Sequence, residues 1–417
     1  MAVSEIFEII PEKLVYGGEA MGRLPDGRAV FIPFALPGEK TAIQLTESRK
    51  GYARAEIVDL IEPSPERIAP VCRHFGECGG CHLQHMPYQM QLETKKGILK
   101  EQFERIAGIF SPRLNKTVPS SRQFNYRNHM QFHLTDKGEV GFHKTGLEEV
   151  FAIQECHLPE ERLNSIWPEF DFEPVQSLER VGLRAGMGDD VLILLESSEP
   201  DAPEILVEGL PASIVFLCPG SQFVIAGNDS LRMEILGRSM QVSAESFFQT
   251  NSGVTEAMIG HVIKTLPAFC QLSQDTIFLD LYCGVGLFSL FIAPMVGRVV
   301  GVESDPSASD DFVANLDEYD QVELYEAPVE QAVPYLDLKP DIILVDPPRG
   351  GISRTAMDGI VNLRARTMVY ISCDPATLAR DGKRLLKAGY QLRQVTPFDM
   401  FPQTYHIESV SFWTQPP

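Results

Sequence analysis

Between residues 9 and 62, apolar and polar positions alternate along short runs such as Arg28-Ala-Val-Phe-Ile-Pro33 and Lys40-Thr-Ala-Ile-Gln-Leu45, separated by Gly, Pro and Asp. A period of two is that of a half-buried strand, and strands at this close spacing predict a small all-β barrel over residues 1–62. The Pro-rich run 61–70 reads as a linker. Over 88–109 the period moves towards 3.6, which predicts a helix carrying the basic cluster Lys95, Lys96 and Lys100. Strand-like alternation returns from Val118 to Val242, so residues 63–245 read as a central α+β domain. From Asn251 onward, short apolar runs (TIFLDLYC, VVGVES, DIILVDPP, MVYISCDP) alternate with helix-like segments. That rhythm predicts a parallel α/β sheet, and residues 246–417 are assigned to a Rossmann-like domain.

Composition supports folded, core-forming domains: 44% of the residues are hydrophobic and 22% charged. The most apolar stretch, Leu287 to Val302, is broken by Pro294, Gly297 and Arg298, which argues against a membrane span. The N-terminus offers acid where a signal peptide has a basic region, so a cytoplasmic protein is expected. The net charge of −21 argues at first against a nucleic-acid partner. Its distribution changes that picture. Residues 161–350 hold 31 acidic and 9 basic side chains, whereas residues 351–417 hold 5 and 8. Neutral-to-basic surfaces therefore remain for RNA, provided they converge in space.

The cysteines sort into a cluster and isolated positions. Cys72, Cys78 and Cys81 form Cys-x5-Cys-x2-Cys, and Cys156 follows 75 residues later. Four thiolates suit tetrahedral zinc or an iron–sulfur cluster, and three ligands in one tight Gly-rich loop with a distant fourth favour a [4Fe–4S] cube. Cys218 and Cys270 read as core.

Asp280-Leu-Tyr-Cys-Gly-Val-Gly286 lies between an apolar strand and a helix, where glycines let a ligand approach the backbone. Glu303 ends the next strand, where a carboxylate can accept from both hydroxyls of a ribose. NAD and S-adenosylmethionine share that logic. Asp346-Pro-Pro-Arg349, at the end of another strand, favours the second, because a strand-terminal Asp on a rigid turn suits a site beside a target base. Ser372-Cys373-Asp374-Pro375 places Cys373 at the same sheet edge. Uracil C5 is too weak a nucleophile to take a methyl group directly; addition of a thiolate at C6 overcomes this, and Cys373 is the candidate. A base must then remove the C5 proton. Glu408 is the leading candidate, with His406 and Asp399 as rivals, and Cys283 competes for the role of nucleophile.

With Cys-x5-Cys-Gly-Gly-Cys, SFFQTN (246–251), DLYCGVG, DPPR, SCDPATLARD (372–381) and HIES in order, the chain resembles the RNA (uracil-5)-methyltransferases, in particular their iron–sulfur-containing ribosomal members. The resemblance implies that the N-terminal barrel is an OB-like TRAM domain that binds RNA. It implies a [4Fe–4S] cluster on Cys72, Cys78, Cys81 and Cys156, and S-adenosylmethionine bound by Gln249, Tyr282, Glu303 and Asp346. Cys373 would be the nucleophile, Glu408 the base, and Arg127 a neighbour of the RNA. The segment 88–115 would be a helix docked on the catalytic domain. Leu287 stands where relatives can carry Asn, and Ala327 where a polar side chain could meet the adenine. The expected activity is C5 methylation of a uridine in structured RNA, in the first place 23S ribosomal RNA, with transfer RNA or a non-catalytic RNA-binding role as alternatives. The expected partner is RNA with no membrane contact, and the chain is expected to act as a monomer.

Overall fold

The computed structural model describes residues 6–170, 172–173, 177–200 and 212–416. The N-terminal strands form one six-stranded sheet in the order Ile6–Ile9, Lys40–Ser48, Tyr52–Glu62, Ala29–Ile32, Ala20–Arg23, Lys13–Leu14. Alternate positions point inward, so Val30, Ile32, Ile43 and Ala53 make a core of their own with Ile9, Leu14 and Ala20.

A seven-stranded sheet follows, in the order Ser221–Ala226, Ser213–Cys218, Val191–Ser197, Leu178–Ala185, His129–Leu134, Val140–His143, Val150–Ala152. It is antiparallel except where Val191–Ser197 runs parallel to Ser213–Cys218. The hairpin of Ser230–Ile235 and Arg238–Ser243 leads from it to the C-terminal sheet.

That last sheet has the order Val322–Glu326, Arg298–Glu303, Ile277–Leu281, Ile342–Val345, Thr367–Ser372, Glu408–Thr414, Gln391–Phe398. The first five strands are parallel, and Glu408–Thr414 runs antiparallel to both its neighbours, the closing hairpin being a departure from the purely parallel sheet expected. The direction of winding reverses between Ile277–Leu281 and Ile342–Val345. At such a switch point the loops beyond the strand ends part and leave a crevice, which is where open α/β sheets bind ligands. Apolar cores cover both faces of this sheet.

The helix expected over 88–115 is shorter. It runs Tyr88–Gln102, continues as a widened turn over Phe103–Ala107, and stops at Gly108, whose φ of +71° suits glycine. Its Leu99 and Phe103 belong to the core on one face of the C-terminal sheet, beside Leu378, Leu385 and Trp413, so it packs there although the central sheet follows it in sequence. Beyond it, Asn115 and Val118 donate backbone hydrogen bonds to Val395 and Pro397, adding an irregular edge to the same sheet. Lys95 leaves the basic cluster read from sequence: it is 1% exposed. No helix among the described residues is long and apolar enough to cross a membrane.

Candidate active site

The loops after four strands of the C-terminal sheet meet at its carboxyl edge. After Ile277–Leu281 the chain turns sharply: Tyr282 has a φ of +60°, and the Tyr282 and Cys283 N–H groups both bond the Val302 carbonyl. Gly286, at φ +85°, opens the helix Leu287–Ile292, and a Cβ there would lie 2.5 Å from Leu316 Cδ1. Only glycine fits. Glu303 folds back on this loop, its Oε2 accepting from the Gly284 N–H at 2.9 Å and its Oε1 from the N–H groups of Ser304 and Asp305. A carboxylate is thus fixed beside the glycine turn. Burial pushes the Tyr282 hydroxyl up to about 12, and the charges of Glu330 and Asp381 add to this. Leu287 is buried in the first turn of the helix, and Ala327 donates its N–H to the Glu303 carbonyl. Gln249 lies on a segment anchored at both ends: Ser246 bonds Asp311 at 2.6 Å, and Asn251 donates to the Met400 carbonyl.

Asp280, one residue inside the strand end, is a feature the motif reading passed over. It is 1% exposed, its Oδ2 accepts from Ser289 at 2.6 Å, and its Oδ1 has no partner. Burial pushes its carboxyl up to about 7, and the charges of Asp346 and Glu303 add to this.

Cys373 follows the strand Thr367–Ser372, and Asp374 starts the next helix, Pro375–Lys387, by accepting from the N–H groups of Ala376 and Thr377. An Asp cap followed by Pro at the first helical position is a signal legible in the sequence. Ser372 pairs with Ser409 at the last rung of an antiparallel ladder, so Cys373 and Glu408, the next residue on each side, stand at the same end of that pair, close enough for the Glu408 charge to act on the Cys373 thiol. Glu408 is 4% exposed, and burial with the facing Asp346 holds its carboxyl well above the usual range. Burial likewise pushes Asp346 up to about 7. Two carboxyls in one desolvated space cannot both ionise freely. The Cys373 thiol is pushed up to about 12 by burial first, then by Glu408, Asp346 and Asp374, with Arg349 opposing. The 349–352 loop is pinned by Asp381, which accepts from the Ile352 N–H, and by Arg380, which donates to the Gly350 carbonyl.

The rivals separate. Asp399 is fully buried against Lys95 and takes no place at the open edge. Burial and nearby cations push His406 down to about 3; its ring lies 3.4 Å from the Arg349 guanidinium. Cys283 is packed inside the core, where burial holds its thiol well above the usual range. Cys270 is also core, and Cys218, at the end of the strand Ser213–Cys218, is partly buried against the core of the central sheet rather than inside it.

Cys72, Cys78, Cys81 and Cys156 come together in space. Burial raises all four thiols, Cys81 and Cys156 to about 12; the charge of neighbouring cysteines adds to this at Cys78, Cys81 and Cys156, and that of Glu155 at Cys72. The Gly80 N–H donates to the Cys78 sulfur at 3.4 Å. Among the described residues, no three Cys, His, Asp or Glu side chains close tightly enough to hold a single metal ion. Arg127 faces both Cys81 and Cys156, and its guanidinium lies 5.7 Å from the Phe401 ring centre.

Comparison with known proteins agrees with this arrangement. A family described as tRNA (Uracil-5-)-methyltransferase matches residues 225–324 and 331–415. A TRAM domain matches residues 3–58. The chain is 33% identical over 422 residues to an uncharacterized RNA methyltransferase of Aquifex aeolicus, with 96% of each chain covered. It is 31% identical to one of Thermotoga maritima, covering 95% of this chain and 96% of the other. Among solved structures, the Pyrococcus abyssi tRNA (uracil-54, C5)-methyltransferase in complex with S-adenosyl-L-homocysteine superposes with a TM-score of 0.73 at 25% identity, over 98% of this chain and 100% of that one.

Proposed function

The chain belongs to the RNA (uracil-5)-methyltransferase family, S-adenosylmethionine-dependent enzymes, and from that premise we propose that it methylates C5 of a uridine in structured RNA through Cys373 and Glu408. The observation that supports the residue assignment is the meeting of Cys373, Glu408 and Asp346 at one sheet edge, where both carboxyls act on the Cys373 thiol and the ladder ends at Ser372 and Ser409, their immediate neighbours.

The Cys373 sulfur, once deprotonated, adds to C6 of the uracil, and the electron pair displaced from the C5–C6 bond makes C5 nucleophilic. S-adenosylmethionine, when bound, supplies an electrophilic methyl group and leaves as S-adenosylhomocysteine. Gln249, Tyr282, Glu303 and Asp346 are the residues proposed to hold it. Support comes from Glu303 fixed beside the Gly284 turn and from the position of that turn at the switch point. Glu408 then removes the C5 proton, and the returning electron pair expels the Cys373 thiolate. A carboxylate raised by burial is a stronger base than a solvated one, which suits Glu408 to this step.

Cys72, Cys78, Cys81 and Cys156 are proposed to hold a [4Fe–4S] cluster. The donor set supports this reading: four free thiols lie near one another, Cys81 buried and the other three partly so, and a cube would spread its ligand sulfurs further apart than one ion does. Its role here is to clip the 72–81 loop to the region of Cys156.

Ribosomal RNA is the substrate class proposed first. Transfer RNA is the second reading, because the Pyrococcus abyssi structure is that of an enzyme for uracil-54 of transfer RNA. Mass spectrometry of fractionated RNA from a gene deletion decides: loss of 5-methyluridine from a ribosomal fragment supports the first reading, loss from transfer RNA the second, and no loss from either removes both.

A further inference from the structure

Tyr16 lies on the turn between the N-terminal strands Lys13–Leu14 and Ala20–Arg23, yet its hydroxyl donates to Oδ2 of Asp374, 358 residues away, at 3.0 Å. Asp374 adjoins Cys373, and its other oxygen caps the helix Pro375–Lys387. One carboxylate therefore starts that helix and receives the barrel's tyrosine. The Tyr16 ring also meets Tyr405 edge-on, with centres 5.6 Å apart. Tyr405 belongs to the loop 399–407, which leads into Glu408, and stacks on His406 at 4.3 Å. The turn is shaped for this approach. Gly18 has a φ of +83°, and a Cβ there would lie 3.1 Å from His82 Cβ and 3.3 Å from Tyr405 Cβ. Any larger residue would push the turn away from both loops.

We propose that Tyr16 is a positioning residue of the methyltransferase centre, so that docking of the N-terminal domain sets the geometry between Cys373 and Glu408 in addition to any hold on RNA. The inference rests on the roles given to those two residues above. Burial and the Asp374 carboxylate hold the Tyr16 hydroxyl protonated, so it stays a donor. Its hydrogen bond offsets part of the negative charge that Asp374 turns towards Cys373. The groups facing Cys373 are the carboxyls of Glu408, Asp346 and Asp374 and the guanidinium of Arg349. Those facing Tyr16 are Asp374, Tyr405 and Arg349. Without the hydroxyl, Asp374 acts on the thiol less compensated, and one tether between the barrel and the nucleophile loop is gone. Misplaced reacting groups raise the barrier, so the loss falls on turnover rather than on affinity.

The test uses the full chain with Tyr16→Phe, which keeps the ring against Tyr405 and removes only the donor. The expected result is a kcat lower by about tenfold, the scale of one hydrogen bond to a charged group, with KM for RNA changed less than about twofold. Alkylation of Cys373 by iodoacetamide without RNA, followed on the Cys373 peptide, should shift to higher pH. Asp374→Asn keeps a capping oxygen, and the double variant should be no slower than the slower single one. A wild-type kcat with an unshifted alkylation profile overturns the proposal, as do additive effects in the double variant. A raised KM at unchanged kcat also overturns it, by assigning Tyr16 to RNA contact alone. Cys373→Ala separates the premise: if that variant still methylates, the nucleophile assignment is wrong, while the alkylation profile of the Tyr16 variant, which needs no turnover, still decides whether the tyrosine acts on the Cys373 loop.

Discussion

Lys95 Nζ lies 2.5 Å from Asp399 Oδ1, across 304 residues of sequence, with the two side chains 1% and 0% exposed. The same ammonium donates to the Phe401 carbonyl at 3.0 Å, and Gln91, one helical turn earlier, bonds the Gln403 side chain. The helix Tyr88–Gln102 thereby holds the loop that delivers Glu408. Removing one partner of a buried pair strands the other charge. Lys95→Met should cost roughly 3–5 kcal/mol, and Lys95→Met with Asp399→Leu should recover much of that loss. Urea midpoints of the three proteins check this; a double variant as unstable as the single one counts against a charge-based cost.

Asp280 gives a pH-dependent stability. A carboxyl raised to about 7 is ionised in the unfolded chain above about pH 4 but stays protonated in the fold until pH approaches 7, so folding takes up a proton. Stability contributed by the neutral form is therefore lost as pH rises through that window. Asp280→Asn should be the more stable protein at pH 8 by roughly 1–3 kcal/mol, with the gap narrowing towards pH 4. A gap independent of pH would show that the effect is packing rather than ionisation.

These two buried groups show where sequence legibility ended. The loops of the site were legible because each stands at the end of an apolar strand with its own punctuation: Gly284 and Gly286, Pro347 and Pro348, Pro375. The Asp374 cap and the left-handed stop at Gly108 are local signals too, although the helix expected over 88–115 ran past the second. Partners far apart in sequence left no such trace. Nothing near Lys95 distinguishes it from Lys96 and Lys100, and only the fold brings it to Asp399 and Tyr16 to Asp374. In the strand Glu408–Thr414 every residue is buried, so the Ser-Val-Ser-Phe alternation there does not mark a solvent face, and the pairing that brings Glu408 to the Cys373 end of the sheet was hidden too.

The Cys373 thiol, at about 12, should be slow to alkylate at pH 8 and quicken as pH rises. Its neighbours predict opposite changes. Glu408→Gln removes a facing negative charge and should speed alkylation at fixed pH severalfold, whereas Arg349→Ala removes the compensating cation and should slow it. Equal rates in all three proteins would mean that burial alone sets the thiol.

Four neighbouring thiols, each raised by burial, are unfavourable as thiolates unless a cation shares their space. Protein purified without oxygen should be brown and carry about four iron and four sulfide per chain. Cys81→Ser should lose the colour and loosen the 72–81 loop, seen as faster proteolysis there. Stoichiometric zinc with no broad visible absorption would instead assign the site to a single tetrahedral ion.

The two steps of the proposed chemistry come apart because addition needs the sulfur and release needs the base. Cys373→Ala should abolish both methylation and any covalent RNA adduct, since C5 gains no nucleophilic character without attack at C6. Glu408→Gln should behave differently. Its amide occupies the same place near Cys373 but takes up no proton, so methyl transfer proceeds, the C5 hydrogen stays, and the enzyme remains bonded to methylated uracil. Denaturing gels should show a stable protein–RNA band, with turnover down by about 10²-fold or more, the scale of a positioned acid–base group. Asp399→Asn and His406→Ala should not trap RNA, because Asp399 is committed to Lys95 and His406 is held neutral beside Arg349. Trapping by either of these, with free turnover in Glu408→Gln, would transfer the base role and leave the nucleophile where it is.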